Sequence, residues 1–590
     1  MNYPTIIIST DLPVQNSDGK FSLLETVGFN IAYNKSVEGK IFIYENANIL
    51  VLAHCNYGFL SLLKLKDSIF FQSELQIIES LKLLQWGFLS VCNKQDKSIV
   101  LYNDIYGLYP LYYSNNNDKI SISNDFDELA LMQNSLTINN NGVYDYLLFN
   151  YTLKSRTLFN EIVHLEGGSK IFKDKSGLCI SVVLNVADLI KQAHPLVTIE
   201  DMCANLSDHV RDNIELSLPI QLPLTGGFDS KIILSLLLHN DHEFSAYTFG
   251  DKSSPDCVTA MSIAKEYSIK HRHISLSEEY LCDIEKNIKQ FIRDYPNAPM
   301  LDTLMYYQMV RDIFPPSNIV TGKMGGELIV GPVLISELIT TRVASLLTLC
   351  KNGQELISGL MINIEEVGFV DRDLFMNNIN EYTQSLSCYR KGESNVENLN
   401  IALFLLKETY AKFFGPVFCV LFYKHNLINP LVDLSFVIKL LNSKFSFLKK
   451  KPFSKEPFSH FMSRRLYPLL VRNISPSVLN TPMDRGYNLK DFLHWYNFPK
   501  PFLNYFTRHF LPKKPVKKPL VSYMPSIKGL VKERLISSSV LDLNIFDKDE
   551  ILRQITDMEN GRTSRFQDQR LIQLLTLHYI FSRYTNKIIV

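Results

Sequence analysis

The pattern of apolar and polar positions changes texture twice along the chain. Over roughly the first two hundred residues the apolar runs have strand length. Ile41–His54 and Lys97–Ser114 are rich in Ile, Val, Leu and Tyr and are broken by Asn, Asp and Gly. Asp118–Asp125 alternates apolar and polar residues, as a half-buried strand does. Between them, Glu74–Leu84 carries its apolar residues at helical spacing. This region predicts an α+β domain with antiparallel sheets, covering residues 1–195.

The first change falls near Pro195. Leu196–Ser217 has helical spacing, with Thr198 or Asp201 as cap. Strand and helix then alternate: Pro219–Leu224, a helix starting near Ser230, Phe244–Gly250, a helical Pro255–Ser268, and His271–Leu276. That order predicts a parallel, doubly wound α/β sheet within residues 196–590. Pro223 is unwelcome inside a central strand, but it falls at the strand's last positions, where a missing donor matters least. The second change comes near Val330, after which helices dominate. Leu511–Pro519 is a short basic, proline-broken stretch, read as a solvated loop.

A chain of 590 residues predicts about two to four domains. A net charge of +1 gives no overall footprint for nucleic acid or an acidic membrane. The 9 cysteines are scattered without metal-ligand spacing, which fits a reducing compartment. The N-terminus has no basic segment or cleavage site. No apolar run approaches the roughly 18 residues of a membrane span. A cytoplasmic protein is expected.

Candidate chemistry concentrates in "LPLTGGFDSK", Leu222–Lys231. A glycine-rich turn from strand into helix presents backbone amides where the helix dipole is positive, which suits an anion. Leu224, Thr225, Gly226, Gly227 and Ser230 form the turn. Gly226 and Gly227 let a phosphate approach the backbone, and the Thr225 and Ser230 hydroxyls add donors. A bare carboxylate at Asp229 repels phosphate unless a divalent cation lies between them, so the local chemistry points to a Mg-nucleotide. The stretch does not match the kinase and GTPase P-loop. A tight turn that merely packs helix on strand is the alternative.

"LTGGFDSK" resembles the S-G-G-x-D-S pyrophosphate loop of the N-type ATP pyrophosphatases. The surrounding sequence resembles the asparagine synthetase B family over nearly the whole chain. "NDIYGLYPLYY" (Asn103–Tyr113) is similar to a strand–turn–strand of that family's glutaminase-like domain, and Tyr146–Ile171 to its closing segment. "INPLVDLSFVIKLLNSK" (Ile428–Lys444) resembles a family helix start, with Pro430, Leu431 and Asp433 in place. The resemblance implies an Ntn-type glutaminase-like sandwich, then an ATP-pyrophosphatase domain with a helical C-terminal region. It implies ATP and Mg²⁺, and amide-bond formation through an acyl-adenylate with release of AMP and pyrophosphate.

Three departures refine this. The family's glutaminases carry cysteine directly after the initiator methionine, where this sequence has Asn2. That loss resembles β-lactam synthetases and lasso-peptide cyclases, which use an amine already in the substrate. It implies macrolactam formation on a peptide, or another carboxylate, with a leader peptidase or precursor peptide as partner and neither nucleic acid nor membrane. Asparagine synthase-type amidation with ammonia and a non-catalytic nucleotide-binding homologue are the alternatives. Second, "VTGKMGGELIVG" (Val320–Gly331) replaces a family turn whose aspartate binds metal. Alignment on Gly325 and Gly326 places Glu327 there, so Asp229 and Glu327 are the implied Mg²⁺ ligands. Third, alignment on Gly486 places Asp484 where the family carries a lysine. The adjacent Arg485 is then either a charge stabiliser for pyrophosphate or a loop arginine. Phe249 and Gly250 are implied beside the adenine. Ser254 and Asp256 open the next helix. Asp302, within Pro296–Val310, is a substrate contact or a helix cap. His271 and His273 lack the acidic partners of a metal site, and the paired tyrosines, Tyr112–Tyr113 and Tyr306–Tyr307, read as core.

Overall fold

The computed structural model describes residues 5–10, 21–26, 29–34, 41–116, 119–192, 196–275, 283–294, 310–331, 339–391, 398–422, 424–449, 457–510 and 524–589. The reading of Asp302, Tyr306, Tyr307 and the basic stretch 511–519 falls outside these residues. So do residues 193–195, at the expected domain boundary.

The apolar runs of the first region form two antiparallel six-stranded sheets. One runs, edge to edge, Val163–His164, Tyr112–Asn116, Lys119–Ser123, Ile6–Ser9, Phe29–Asn34 and Phe21–Thr26. The other runs Gly177–Val182, Ser169–Asp174, Ser98–Asn103, Gly87–Asn93, Ile49–Cys55 and Phe42–Glu45. Each long apolar run therefore folds as two strands rather than one. The break in Lys97–Ser114 is made by Asp104. Its buried carboxylate accepts the backbone N–H groups of Tyr106, Leu108 and Tyr109 at 2.9–3.2 Å, which forces the chain into a turn between the two sheets. That turn packs on the later helical region: Tyr109 stacks on Phe422 at 6.5 Å between centroids, and the Cys419 thiol meets the Leu108 carbonyl.

The second region opens with α1 (Ile199–Asn213). Thr198 and Asp201 both cap it, each side chain accepting the other's backbone N–H. Five parallel strands follow: β1 (Ile220–Pro223), β2 (Phe244–Phe249), β3 (Lys270–Ile274), β4 (Asn318–Val320) and β5 (Asn426–Ile428), in sheet order β3-β2-β1-β4-β5. This is the doubly wound order, and its topological switch point lies between β1 and β4. Helices α2 (Phe228–His239), α3 (Pro255–Glu266) and α4 (Gly325–Ile329) leave the ends of β1, β2 and β4. Pro223 ends the central strand at a tolerated place. β4 pairs only with Ile220 and Gln221, so no ladder bond is asked of the proline on that side.

From Ile339 onward the described chain is helical apart from β5 and Ile588–Ile589, and no helix among the described residues is long and apolar enough to cross a membrane. Both expected folds are present, the α+β two-sheet region and the doubly wound sheet with its helical C-terminal region. Buried polar groups join them. Asp145 accepts Nε and Nη2 of Arg156, the Leu153 N–H and the Tyr382 hydroxyl at 2.6–2.9 Å. Arg156 continues to Ser385 Oγ at 2.8 Å.

Removing one member of a buried ion pair leaves the other charge uncompensated. Asp145→Ala should therefore lower stability by about 3–5 kcal/mol, measured as a fall in the urea midpoint. Ser385→Ala, which leaves the ion pair intact, should cost far less.

Candidate active site

The turns after β1 and β4 meet at the switch point and frame a cleft of about 490 Å³. The Leu222–Lys231 stretch builds one side. Leu224 is locked to β2, donating its N–H to the Tyr247 carbonyl at 2.9 Å and accepting the Thr248 hydroxyl at 2.6 Å. The chain then turns, and Gly227 caps α2 in extended conformation. The expected helix start at Ser230 thus moves back to Phe228.

The turn is internally braced. Gly226 N–H donates to Asp256 Oδ1 at 3.0 Å and Gly227 N–H to Thr225 Oγ1 at 3.1 Å. Ser230 is buried, and its hydroxyl donates to the Thr225 and Gly227 carbonyls. Ser230 therefore holds the loop together instead of facing the cleft, because the loop carbonyls left behind the helix start need a donor. The N-terminus of α2 presents its first-turn amides at this end of the cleft.

Asp229 binds two distant pieces of chain. It accepts the Tyr467 hydroxyl of α5 (Leu466–Ile474) on Oδ1 and the Gly326 N–H of α4 on Oδ2 at 3.1 Å. Gly325 permits this approach: a Cβ there would lie 2.6 Å from Asp229 Oδ1. Burial pushes the Asp229 carboxyl up to about 7, with the nearby Glu327 charge adding to the effect and the Tyr467, Gly326 and Lys323 contacts opposing it. Glu327 lines the same cleft.

Two carboxylates so placed fit Mg²⁺, which takes one or two carboxylates together with water and phosphate oxygens. No group of three or more His, Cys, Asp or Glu among the described residues is set to hold an ion alone. The pair suits a cation shared with a phosphate better than a closed protein cage. His271 and His273 instead bond Thr248 Oγ1 and the Gly250 carbonyl, each at 2.9 Å.

Of the residues expected at the site, Thr225, Gly227, Asp229, Gly326, Glu327 and Arg485 line the cleft. Gly226 and Gly325 lie directly behind its wall, and Leu224, Ser230, Phe249 and Gly250 are not on it. Arg485 is half exposed, with Nε 3.7 Å from Asp484 Oδ2.

Four further residues went unread in the sequence. Asp256 was seen only as a helix opener, yet it lines the cleft and holds Gly226. Arg464 and Tyr467 also line it, Arg464 with its guanidinium 5.8 Å from the Phe228 ring. "RRLY" at 464–467 carries no motif. The fourth is Lys231, whose ammonium is fully buried under the loop and donates to the Thr225 carbonyl at 3.0 Å. Burial pushes it down to about 7, while the carboxylates of Asp484, Asp256 and Glu266 pull it back up. Asp484 is thus one of the carboxylates that face this buried lysine. Its sequence signal was a single cation heading the apolar run Ile232–Leu238.

Two outcomes test this geometry. A Cβ on Gly226 would lie 2.5 Å from Asp484 Cβ and 2.8 Å from its backbone nitrogen, whereas one on Gly227 meets only Thr225 Oγ1 at 3.2 Å. Gly226→Ala should cost about 1–3 kcal/mol through overpacking, and Gly227→Ala clearly less, in thermal unfolding. For Lys231, the unfolded chain holds a proton up to 10.5 that the folded chain gives up near 7. This part of stability is lost as pH falls through 7 and recovered between 7 and 10.5. Lys231→Met should flatten the midpoint's rise with pH across that window, and an unchanged slope would contradict the assignment.

Residues 82–181 match the family model described as a glutamine amidotransferase domain, and residues 203–311 the one described as asparagine synthase. Asparagine synthetase [glutamine-hydrolyzing] 1 of Bacillus subtilis (strain 168) is 24% identical over 225 residues, which is 37% of this chain and 35% of that protein. The match thus spans about a third of the relative's length. Among solved structures, glutamine phosphoribosylpyrophosphate amidotransferase from B. subtilis, complexed with ADP and GMP, is 11% identical. The alignment covers 54% of this chain and 69% of that one at a TM-score of 0.20. A structure of the allosteric regulatory enzyme of purine biosynthesis gives 10%, 54%, 68% and 0.20. TM-scores that low carry no argument. The two family models match successive parts of one chain, in the order glutamine amidotransferase domain then asparagine synthase, and the chain is also similar in sequence to an asparagine synthetase.

Proposed function

We propose that this chain forms amide bonds in an ATP-driven reaction through an acyl-adenylate, releasing AMP and pyrophosphate. One observation carries the reading: the turn after β1, two carboxylates, Asp229 and Glu327, and two guanidiniums, Arg464 and Arg485, line a single cleft. The α2 N-terminus and the guanidiniums would hold the pyrophosphate end of ATP, and Arg485 would stabilise charge as pyrophosphate leaves. Asp229 and Glu327 would hold Mg²⁺, which supplies charge neutralisation between carboxylates and phosphates. A carboxylate oxygen of the substrate attacks the α-phosphorus. An amine then attacks the acyl carbon, the acyl–oxygen bond to AMP breaks, and the amine's proton passes to solvent. Because guanidinium stays protonated, Arg485 does not take the amine proton. The chain's role is positioning and electrostatics.

For the amine, an amino group of the substrate itself is the favoured source, giving a macrolactam as in lasso-peptide formation. The cysteines described in the first region support this. Cys55 and Cys92 are buried, and burial pushes both thiols well up, away from nucleophilic thiolate. Cys179 is exposed on a sheet strand. None is set up to hydrolyse glutamine. Asp484 at the family's lysine position favours a second reading, a non-catalytic nucleotide-binding homologue, and the product assay separates the two.

Incubation with ATP, Mg²⁺ and a panel of carboxylate–amine substrates should yield AMP and pyrophosphate in equal amounts. Formation of ADP would overturn the mechanism, and nucleotide binding without turnover of any substrate would favour the second reading. Arg485→Met should lower kcat by about 10²–10³-fold with a smaller effect on the KM for ATP.

A further inference from the structure

The cleft has a second end that this chemistry does not use. Among the described residues, every charged side chain lining the cleft belongs to the loop, the first turns of α2, α3 and α4, or the stretch 464–485. The opposite wall is apolar: Ile401, Phe404, Leu405, Phe413 and Phe414 come from one continuous helical run, and Tyr151 comes from the first domain. The polar side chains lining it among the described residues are Thr348, Thr409 and Tyr151, and the Lys323 ammonium sits 5.0 Å from the Phe414 ring at its edge.

This wall has an uncommon construction. Leu399–Phe404 is α-helical, and Leu405–Phe414 continues it as a ten-residue π-helix. The wider i→i+5 turn puts Leu405, Thr409 and Phe413–Phe414 on the cleft side. Runs this long are rare and persist where the surroundings fix them. Here Glu408 is buried on the far side of the π-helix. It accepts the Lys154 N–H at 3.0 Å and the Tyr389 hydroxyl, and lies 2.9 Å from the Lys412 ammonium. The first domain therefore both pins the π-helix and contributes Tyr151, whose hydroxyl lies 3.4 Å from Thr409 Oγ1.

We propose that this end of the cleft receives the body of the carboxylic acid substrate, and that this body is aromatic or branched aliphatic, as a free acid or as residues flanking the reacting carboxylate in a peptide. The inference rests on the amide-forming reading of the same cleft. A polar body such as that of aspartate would lose its water here with few groups to replace it, whereas apolar surface gains by the same burial. The first domain would then be retained for shaping the acyl site, independently of any glutaminase chemistry.

Calorimetric titration of the full chain tests this, with and without Mg²⁺ and α,β-methylene ATP. The ligands are 4-phenylbutyrate, a capped peptide with glutamate between phenylalanine and leucine, the same peptide with serine at both flanks, and aspartate. At least one apolar ligand should bind tenfold or more tighter than aspartate and the serine peptide, and the better of the two tells free acid from peptide. Thr409→Trp and Ala344→Trp, placed on separate helices around the chamber, should each weaken it tenfold or more with far-UV circular dichroism unchanged. Equal binding of aspartate or the serine peptide, or apolar binding indifferent to both tryptophans, overturns the proposal. Acid binding without binding of the nucleotide analogue overturns the amide-forming reading and leaves the chamber, and the converse result does the reverse.

Discussion

The Asp229 carboxylate is the constraint on which the site depends. It sits in the first turn of α2, reached by a hydroxyl from α5 and an amide from α4, so three segments separated by about a hundred residues or more are fixed by one side chain. Burial and the neighbouring Glu327 raise its affinity for a proton. A group held this way costs free energy as an anion unless a cation joins it. The fold thus presents a carboxylate pair whose natural complement is a metal ion with its own anionic ligand. The absence of side chains at Gly325 and Gly226 lets the surrounding backbone close around this arrangement.

Charge balance explains the rest of the wall. Asp229, Asp256, Glu327 and Asp484 are four acids around one small cleft. Arg464 and Arg485 face them from within it, and Lys231 from beneath. Asp484 looks like a defect when only its own segment is considered. Lys231 lies under the same loop, where the carboxylates of Asp484, Asp256 and Glu266 favour its charged form against burial. Asp256 is likewise part of the loop's bracing through Gly226.

Much of this was legible in the sequence. The alternation from Pro219 to Leu276 carries the parallel, doubly wound sheet, though not its strands Asn318–Val320 and Asn426–Ile428, and the cap of α1, legible as Thr198 or Asp201, uses both residues reciprocally. The loop residues and Glu327 were readable because glycines punctuate the turns that carry them. Tyr467, Arg464 and Lys231 were not: Tyr467 reaches the cleft from a helix and Arg464 from the turn before it, while Lys231 is buried beneath the loop, and none of these local patterns marks a site. Which way a helical tyrosine points is settled by packing between distant segments. The π-helix was invisible for the same reason. Leu405–Phe414 has ordinary helical composition, and its wider turn accompanies the buried Glu408, which accepts the Lys154 N–H and the Tyr389 hydroxyl.

The central claim is that Asp229 and Glu327 hold a cation shared with the nucleotide's phosphates. The most direct measurement is calorimetric binding of α,β-methylene ATP with and without Mg²⁺, to the wild-type chain and to Asp229→Asn. The account predicts binding that requires Mg²⁺ in the wild type and weakens at least tenfold in Asp229→Asn at saturating Mg²⁺. Equal affinity in the absence of Mg²⁺, or undiminished Mg²⁺-dependent binding by Asp229→Asn, would contradict it.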